Sequence, residues 1–259
     1  MLCASQENII LWNPSTKEFK LIPPSPFDSE PYWGVLIDHR SFGYDRVRDD
    51  YKVMCHGQII QEYNNYRIYG GSYIWELYSL RSNSWRKINV DMEHNHMDCE
   101  QVYLDGLSHW MCSNERRNEV FLLSFEWSNE VFITTPIPSY MNYYYFQKYS
   151  LLVDLVLLNG SVALILNCVD TSTFHISIMG EVDVKESWIK LFIVRSLPCL
   201  SYPIGAGKKG NMLFRKEDGG LVWFDLNTQT IQDLGIIEGR FYKIVIHKES
   251  FYPFEGANA

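Results

Sequence analysis

Several short stretches of this sequence carry residue types that could do chemistry. Gly205, Gly207 and Gly210 satisfy the spacing G-x-G-x-x-G, which in a dinucleotide-binding protein lets the backbone approach a pyrophosphate at a helix N-terminus. Here Pro203 interrupts the preceding segment, and Asn211–Arg215 has the apolar pattern of a strand. No helix is therefore predicted to face a phosphate, and the motif indicates a glycine-rich loop between blades.

A second stretch groups potential metal ligands, because His94, His96, Asp98 and Cys99 lie within six residues. In an extended segment the two histidines would point the same way. A closed zinc site draws its ligands from two separated pairs, and no second pair with matching spacing stands out. We therefore predict a polar loop over residues 91–100 and no metal ion.

The candidates for acid–base or nucleophilic catalysis are isolated. The sequence has no G-x-S-x-G elbow and no recognisable Cys–His signature. His109 lies beside Trp110 on an apolar strand, which favours a buried structural histidine. Asp45, Asp49 and Asp50 surround a turn with neighbouring arginines, where carboxylates cap backbone and form salt bridges. We assign no catalytic residue and expect no cofactor.

One aromatic run is a candidate binding surface. Residues 140–146 include five aromatic rings in seven positions, and exposed aromatic side chains supply large contact area in protein interfaces. Strand alternation favours placing alternate rings in the core. The partner-binding alternative stays open for Tyr143, Tyr144, Tyr145 and Phe146.

Composition excludes several classes of protein. The 259 residues carry 23 basic and 31 acidic side chains, a net charge of −8, which argues against a nucleic-acid binder. Six widely spaced cysteines form no disulfide framework and favour a reducing compartment. The N-terminus lacks a signal-peptide pattern, and the most apolar region, residues 151–166, is interrupted by Asp154 and Asn159. We expect no membrane span and a location in the cytoplasm or nucleus.

The secondary structure predicted for this chain consists of β-strands. Short apolar or alternating stretches recur between turn signals, and no helical periodicity extends over a dozen residues. The sequence therefore predicts an all-β protein. Strands are predicted over Ile9–Trp12, Tyr51–Cys55, Tyr73–Leu80, Val120–Phe125, Leu151–Leu158, Ser161–Asn167, Phe174–Met179, Gly220–Asp225 and Phe241–Ile246.

An internal repeat is the most informative pattern. Trp12–Ile22, Tyr78–Ile88 and Phe224–Leu234 align without gaps, each with an aromatic residue, Ser or Thr four on, and a bulky apolar residue seven on. Looser copies are Leu123–Ile133 and Glu181–Leu191. The pattern predicts a strand, a tight polar turn and a returning strand.

The spacing of the repeat favours a propeller. Its return positions are separated by roughly 66, 47, 56 and 43 residues, near the length of a four-strand blade. We predict one β-propeller-like domain over residues 1–259, with five or six kelch-type blades; a β-sandwich is the alternative fold. Trp12, Trp85, Trp110 and Trp188 are its predicted structural tryptophans, and we expect Trp85 and Trp188 to be buried.

Six segments carry a family resemblance, and they follow one another in the expected order. They are Ile9–Pro24, Phe42–Met54, Tyr78–Ile88, Leu104–Trp110, Leu158–Leu164 and Lys185–Leu191. Together they closely resemble the F-box-associated domain, type 1, of plant F-box proteins. The proline-rich stretch Ile22–Phe27 is similar to the S-locus F-box-like branch.

The resemblance implies a function in protein binding. In that family the domain is the substrate-binding half of an SCF-type ubiquitin ligase receptor, and a separate N-terminal F-box binds the Skp adaptor. Met1 lies eleven residues before Trp12, so we do not expect an F-box within this chain, and Skp would be a partner only with an F-box upstream. The resemblance implies an interaction domain and not an enzyme. A propeller enzyme, a sugar-binding lectin and a truncated non-functional remnant are the alternatives.

Overall fold

The computed structural model describes residues 2–4, 9–25, 33–63, 66–68, 73–90, 95–96, 101–114, 117–138, 153–168, 171, 173–195, 200–207 and 210–236. Within these ranges the chain forms 21 β-strands and one 3-10 turn at Lys185–Ser187. The prediction of an all-β fold is therefore confirmed.

The strands form five antiparallel sheets in chain order. The first contains β1 (Leu2–Ala4), β2 (Ile9–Trp12) and β3 (Phe19–Ile22). The second contains β4 (Trp33–Asp45), β5 (Asp50–Tyr63), β6 (Tyr66–Ile68), β7 (Tyr73–Ser79) and β8 (Ser84–Ile88). The third contains β9 (Asn95–His96), β10 (Val102–Leu104), β11 (Leu107–Asn114), β12 (Glu119–Glu126) and β13 (Val131–Pro136). The fourth contains β14 (Val153–Leu158), β15 (Ser161–Cys168), β16 (Thr173–Ile178) and β17 (Ile189–Arg195). The fifth contains β18 (Leu200–Ala206), β19 (Asn211–Lys216), β20 (Gly220–Asp225) and β21 (Ile231–Ile236).

Each sheet is a meander, because strands that follow one another in the chain pair with one another. The short strands β6 and β9 lie off this path, where β6 pairs with β5 and β9 pairs with β11. The other strands give four consecutive neighbours in the second to fifth sheets and three in the first, counted over the described residues. Four-stranded meanders of this kind are the building units of propellers.

The chain divides into two compact units, Met1–Glu93 with Glu126–Glu130 and Lys248–Ala259 in unit 1, and the remaining residues in unit 2. Unit 1 contains the first two sheets and the turn after β12. Unit 2 contains the strands of the other three sheets. Each unit has its own buried apolar cluster.

Strand alternation explains how the fourth sheet is buried on both faces. Leu155 and Leu164 pack in one apolar cluster, which includes third-sheet residues. Val156 and Ile165 point to the opposite face and pack in a second cluster, which includes fifth-sheet residues. Successive side chains on a strand point to opposite faces, so the wholly apolar stretches of the sequence mark strands between two sheets.

The internal repeat corresponds to one recurring turn. Asn13, Ser79 and Asp225 follow the aromatic residue of the repeat, and the side-chain oxygen of each accepts a backbone N–H two or three residues on, at 3.0, 3.2 and 2.8 Å. Such capping explains the Asn, Ser and Asp at this position.

The same turn places one non-glycine residue in the left-handed region. Lys17, Asn83, Glu130 and Gln229 have φ of 64°, 51°, 59° and 56°. Glu130 shows that the third-sheet copy runs without a gap from Phe125. The predicted copy over Leu123–Ile133 is therefore wrong in register.

Most of the other element predictions can be checked. Ile9–Trp12 and Gly220–Asp225 match β2 and β20, and the other predicted strands with described bounds agree to within a few residues, except that β5 continues to Tyr63. The predicted strand Phe241–Ile246 lies outside the described residues. The predicted loop over 91–100 is wrong at Asn95–His96, which pairs with β11.

No helical segment among the described residues has the length and apolarity that crossing a bilayer needs.

Candidate functional site

Five charged side chains of unit 1 form a connected group, called here the Lys52 cluster: Asp45, Arg48, Lys52, Arg86 and Glu130. Lys52 is 3% exposed and Asp45 is fully buried. The ammonium Nζ donates to Asp45 Oδ2 at 2.7 Å and to Glu130 Oε1 at 2.8 Å. Arg48 also pairs with Asp45, and Arg86 with Glu130. A buried lysine is thus held between two carboxylates.

The β4–β5 hairpin positions the first half of the cluster. Asp45 ends β4, and its Oδ1 accepts the backbone N–H groups of Val47 and Arg48, each at 3.0 Å. Its second oxygen is then free to accept from Lys52, which follows two residues after the start of β5. One aspartate therefore fixes both the turn and the lysine.

The turn between β12 and β13 supplies the second half. Trp127 is fully buried, and its carbonyl accepts from Lys52 Nζ at 3.3 Å. A Cβ added at Gly43 would overlap the Trp127 ring. Glycine at position 43 is therefore required by the close approach of the indole, and not by a positive φ.

The pKa values show that the carboxylates of the cluster stay ionised. Burial alone would raise the pKa of Asp45, but hydrogen bonds from Lys52 and Arg48 hold it well below its usual range. Glu130 follows the same pattern, because hydrogen bonds from Arg86 and Lys52 outweigh the effect of burial and lower its pKa. The cluster is a network of satisfied ion pairs, and its chemistry is to hold the two turns.

A second set of contacts joins the β4–β5 turn to the β7–β8 turn. Asp50 accepts from Ser79 Oγ at 2.6 Å and from the backbone N–H of Arg81 at 2.9 Å. Arg81 Nη1 donates to the carbonyl of Arg48 at 2.8 Å. The prediction that Asp45 and Asp50 cap backbone is confirmed. Asp49 accepts the Tyr44 hydroxyl at 2.5 Å.

Two of the predicted tryptophans make the same contact in different units. Trp85 Nε1 donates to the carbonyl of Pro23 at 2.8 Å, and Trp188 Nε1 donates to the carbonyl of Pro136 at 3.0 Å. In each case the proline lies at the end of the outer strand of the preceding sheet. Both rings are partly buried, so the expectation of full burial is wrong, since the outer position in a sheet leaves one side of the ring open.

The other two tryptophans differ in exposure. Trp110 is 1% exposed on β11, whereas Trp12 is 38% exposed. Trp12 pairs across the strands with Phe19, which is also 38% exposed. These two rings lie on the face of the first sheet opposite the buried Leu11 and Ile22.

His109 is a buried structural residue, as predicted. It is 1% exposed, and Nδ1 lies 2.8 Å from Ser124 Oγ. Burial lowers its pKa to about 4, so the ring is neutral at neutral pH. A neutral, enclosed imidazole bound to a serine on the neighbouring strand stabilises the third sheet.

The glycine motif lies at the turn between β18 and β19, which pair within the fifth sheet, so the predicted position between blades is wrong. Gly205 lies in β18, and the N–H of Gly207 donates to the carbonyl of Asn211, which begins β19, at 2.7 Å. The ring of Trp223 approaches Gly207 closely enough that an added Cβ would lie 2.9 Å from it. The glycine there makes room for an indole.

The remaining candidates lie outside the described residues or only touch them. His94, Asp98, Cys99 and the aromatic residues Tyr143, Tyr144, Tyr145 and Phe146 fall outside, and His96 is described by its backbone in β9. Among the described residues, no group of three His, Cys, Asp or Glu side chains could hold a metal ion.

The sequence analysis identified the aspartates of the β4–β5 turn. It missed Lys52 as the partner of Asp45, and Glu130 as the second partner of Lys52. Glu130 was not singled out because 78 residues separate it from Lys52. A usable signal was present in the repeat, because Glu130 is the left-handed residue of its turn. Aligning the third-sheet copy without a gap would have located it.

Comparison with known families decides what kind of domain carries this cluster. The family model described as "F-box associated beta propeller domain" matches residues 1–254. The chain belongs to the F-box-associated β-propeller family. The described residues of this F-box-associated domain form five sheets, which agrees with the prediction of five or six blades. Membership of a propeller family excludes the alternative prediction of a β-sandwich.

Relatives of the domain include named F-box proteins. F-box protein CPR1 of Arabidopsis thaliana is 27% identical over 91% of this chain and 61% of its own length. Putative F-box protein At3g25460 of the same species is 29% identical over 79% of this chain and 53% of its own length. The chain thus spans about three-fifths or less of these curated relatives.

Similarity to solved structures is lower. The Porphyromonas gingivalis dipeptidyl peptidase 4 structure covers 91% of this chain and 37% of its own, with 10% identity and a TM-score of 0.47. The Dos1 propeller covers 89% of this chain and 55% of its own, with 11% identity and a TM-score of 0.43. Scores this low assign neither function nor details of the fold.

Proposed function

We propose that this F-box-associated domain is the substrate-recognition part of an SCF-type ubiquitin ligase receptor. The observation that carries the proposal is the family match over residues 1–254, supported by relatives named F-box proteins. The Skp adaptor would be bound by an F-box of the same receptor, and the domain itself would bind the protein to be modified. The ligase machinery implies a location in the cytoplasm or nucleus.

The mechanism would be proximity. A receptor that binds a target raises the concentration of that target near the ubiquitin-transfer enzyme, and no reactive side chain of the receptor is required. Rigid sheets with variable connections suit such a task, because the connections carry specificity. The recurring turn and the paired tryptophan–proline contacts supply that rigidity.

The described polar groups support a binding role without catalysis. Lys52, the one buried amine described here, is held by two carboxylates and a carbonyl. His109 is enclosed and neutral at neutral pH. Both groups stabilise the fold, and neither faces a site where a substrate could react.

Co-precipitation from plant cells tests the proposal. The gene product, tagged at its C-terminus and expressed from its own locus, is expected to bring down the Skp adaptor and a set of proteins whose abundance rises when the gene is deleted. Recovery of bound proteins without the adaptor would contradict the ligase proposal, and recovery of neither would contradict substrate recognition.

A variant of the aromatic run tests the binding surface that we propose from sequence. Two double variants remove the rings of one strand face each: Tyr143→Ser with Tyr145→Ser, and Tyr144→Ser with Phe146→Ser. The variant that removes the rings of the binding face is expected to lose the bound proteins and keep the adaptor. An unchanged set of bound proteins in both variants would place the binding surface elsewhere.

A further inference from the structure

Two arginines of unit 1 are fixed to the backbone of neighbouring turns. Arg48 Nη1 donates to Ser128 O at 2.5 Å and to Asp45 Oδ2 at 3.0 Å. Arg81 Nη1 donates to Arg48 O at 2.8 Å. The guanidinium of Arg81 is therefore held against the backbone of Arg48. Both side chains are anchored without being enclosed, since Arg48 is 56% exposed and Arg81 is exposed.

Each anchored arginine uses the same nitrogen. Among the described residues, the hydrogen bonds of both side chains come from Nη1, and the Nε–Nη2 edge of each exposed arginine has no described partner. That edge is the fork that grips a carboxylate with two parallel hydrogen bonds. Because the fold has already restricted these side chains, less rotamer entropy is lost when an anion binds.

The acidic side chains of the same turns have other donors. Asp45 accepts from Lys52, from two backbone N–H groups and from Arg48 Nη1, and Asp50 accepts from Ser79 Oγ and a backbone N–H. Asp49 accepts the Tyr44 hydroxyl. These bonds belong to the turn structure, so the carboxylates do not supply partners for the open arginine edges.

The surroundings are basic in an acidic chain. Arg46, next to this pair, and Arg86 on β8 are also exposed, against one exposed carboxylate in the β4–β5 turn, that of Asp49, and Arg86 is paired with Glu130. The chain as a whole carries a net charge of −8. An acidic partner is therefore attracted to the exposed arginines at this end of the second sheet.

We infer that Arg48 and Arg81 form a paired-arginine site that binds the carboxylates of an acidic segment of the target protein. The inference rests on the proposed function, because it names the kind of target that the receptor recognises. A segment rich in Asp or Glu fits, since each open arginine edge matches one planar carboxylate. Specific recognition then depends on the arginine fork and not on positive charge alone.

Fluorescence polarisation with a labelled oligoglutamate peptide tests the site, with oligoglutamine as the neutral probe. The purified domain is expected to bind oligoglutamate more tightly, and salt is expected to weaken that binding. Arg81→Gln is expected to lose about fivefold in affinity. Arg81→Lys, which keeps the charge and loses the fork, is expected to lose nearly as much.

Arg117→Gln is the matched control, because Arg117 is an exposed arginine in the turn between β11 and β12 of unit 2. It removes the same charge and is expected to change the affinity by less than about twofold. Melting temperatures of all variants check folding, and Arg81→Lys keeps the test valid if Arg81→Gln unfolds.

Equal losses in Arg81→Gln and Arg117→Gln would overturn the site, as would equal binding of the two peptides. A phosphoserine peptide that needs Arg81 while oligoglutamate does not bind would replace the carboxylate inference with a phosphorylated target. The assay contains no Skp adaptor, so its failure is distinguishable from failure of the ligase proposal.

Discussion

Two lysines of this domain each pair with two carboxylates, but they differ greatly in exposure to solvent. Lys52 in unit 1 lies between Asp45 and Glu130, and the three side chains are 3%, 0% and 21% exposed. Lys216 in unit 2 lies between Asp218 and Asp233, which are 58% and 57% exposed, and is itself 16% exposed. In both groups the pKa values of the aspartates are lowered. At Asp45 burial is outweighed by hydrogen bonds from Lys52 and Arg48. At Asp218 the main cause is the backbone N–H of Gly220, followed by Lys216, and at Asp233 it is the hydrogen bond from Lys216.

The number of partners therefore does not determine how much an ion pair contributes to the free energy of unfolding. Water screens an exposed pair, and such pairs contribute little to stability. A buried pair costs desolvation when it forms, but removing one partner leaves the other as an uncompensated charge. The carbonyl of the fully buried Trp127 gives Lys52 a further acceptor at 3.3 Å.

The largest effect is expected at the buried lysine. Lys52→Met leaves Asp45 buried without its amine, and we expect a loss of about 3 to 5 kcal/mol in the free energy of unfolding. Urea unfolding followed by tryptophan fluorescence measures it, with Lys216→Met as the matched control. Equal losses in the two variants would contradict the claim that burial makes the removal of Lys52 more costly.

Acid is expected to act on the buried groups in two separate ranges. The pKa of His109 is lowered from 6.5 to about 4 in the folded state, so the unfolded chain binds the proton first. Stability is therefore lost as the pH falls from about 6.5 to about 4, by about 3 kcal/mol in total. Asp45, whose pKa lies below its usual 3.8, adds a loss only below that value.

His109→Gln checks this assignment, because it removes the titrating ring and keeps a polar partner for Ser124. The slope of unfolding free energy between pH 6.5 and pH 4 should become shallower than in the parent domain. An unchanged slope would show that another group titrates there.

The two tryptophan–proline contacts involve no charge, so they test whether the two units differ apart from their ion pairs. Trp85→Ala and Trp188→Ala remove the same contact in unit 1 and unit 2, and each is expected to cost about 2 to 3 kcal/mol because the rings are only partly buried. Trp85→Phe keeps most of the apolar contact and is expected to lose about 1 kcal/mol with the hydrogen bond to Pro23. Similar losses in both units would sharpen the comparison by confining the difference to the charged groups. Denaturant midpoints measured at neutral pH decide it.

The predictable parts of the fold are those that depend on neighbouring residues. The turn that contains Asn83 was recognisable because its capping residue and returning Trp85 lie within a few positions. The strand β15 was recognisable from its apolar sequence. These signals are local, and the pleat and the turn geometry act through the same neighbours.

The parts that could not be predicted depend on residues distant in sequence. The acid at position 130 meets Lys52 across 78 positions, and no local pattern states that pairing. The exposure of Trp188 depends on what covers the outer strand, which the repeat does not contain. The open edge of Arg81 depends on its bond to Arg48 across 33 positions.

The smallest effect is expected at Lys216, and it tests the comparison from the opposite side. Lys216→Met keeps the apolar stem of the side chain and removes only the ammonium. Asp218 and Asp233 each retain a backbone N–H donor, from Gly220 at 2.9 Å and from Gly235 at 2.8 Å, and both carboxylates are more than half exposed. Water therefore replaces the lost donor, and the urea midpoint should match that of the parent domain within error, at low salt and at high salt. A loss as large as that of Lys52→Met would show that the number of ion pairs, and not their burial, determines the stability of these sheets.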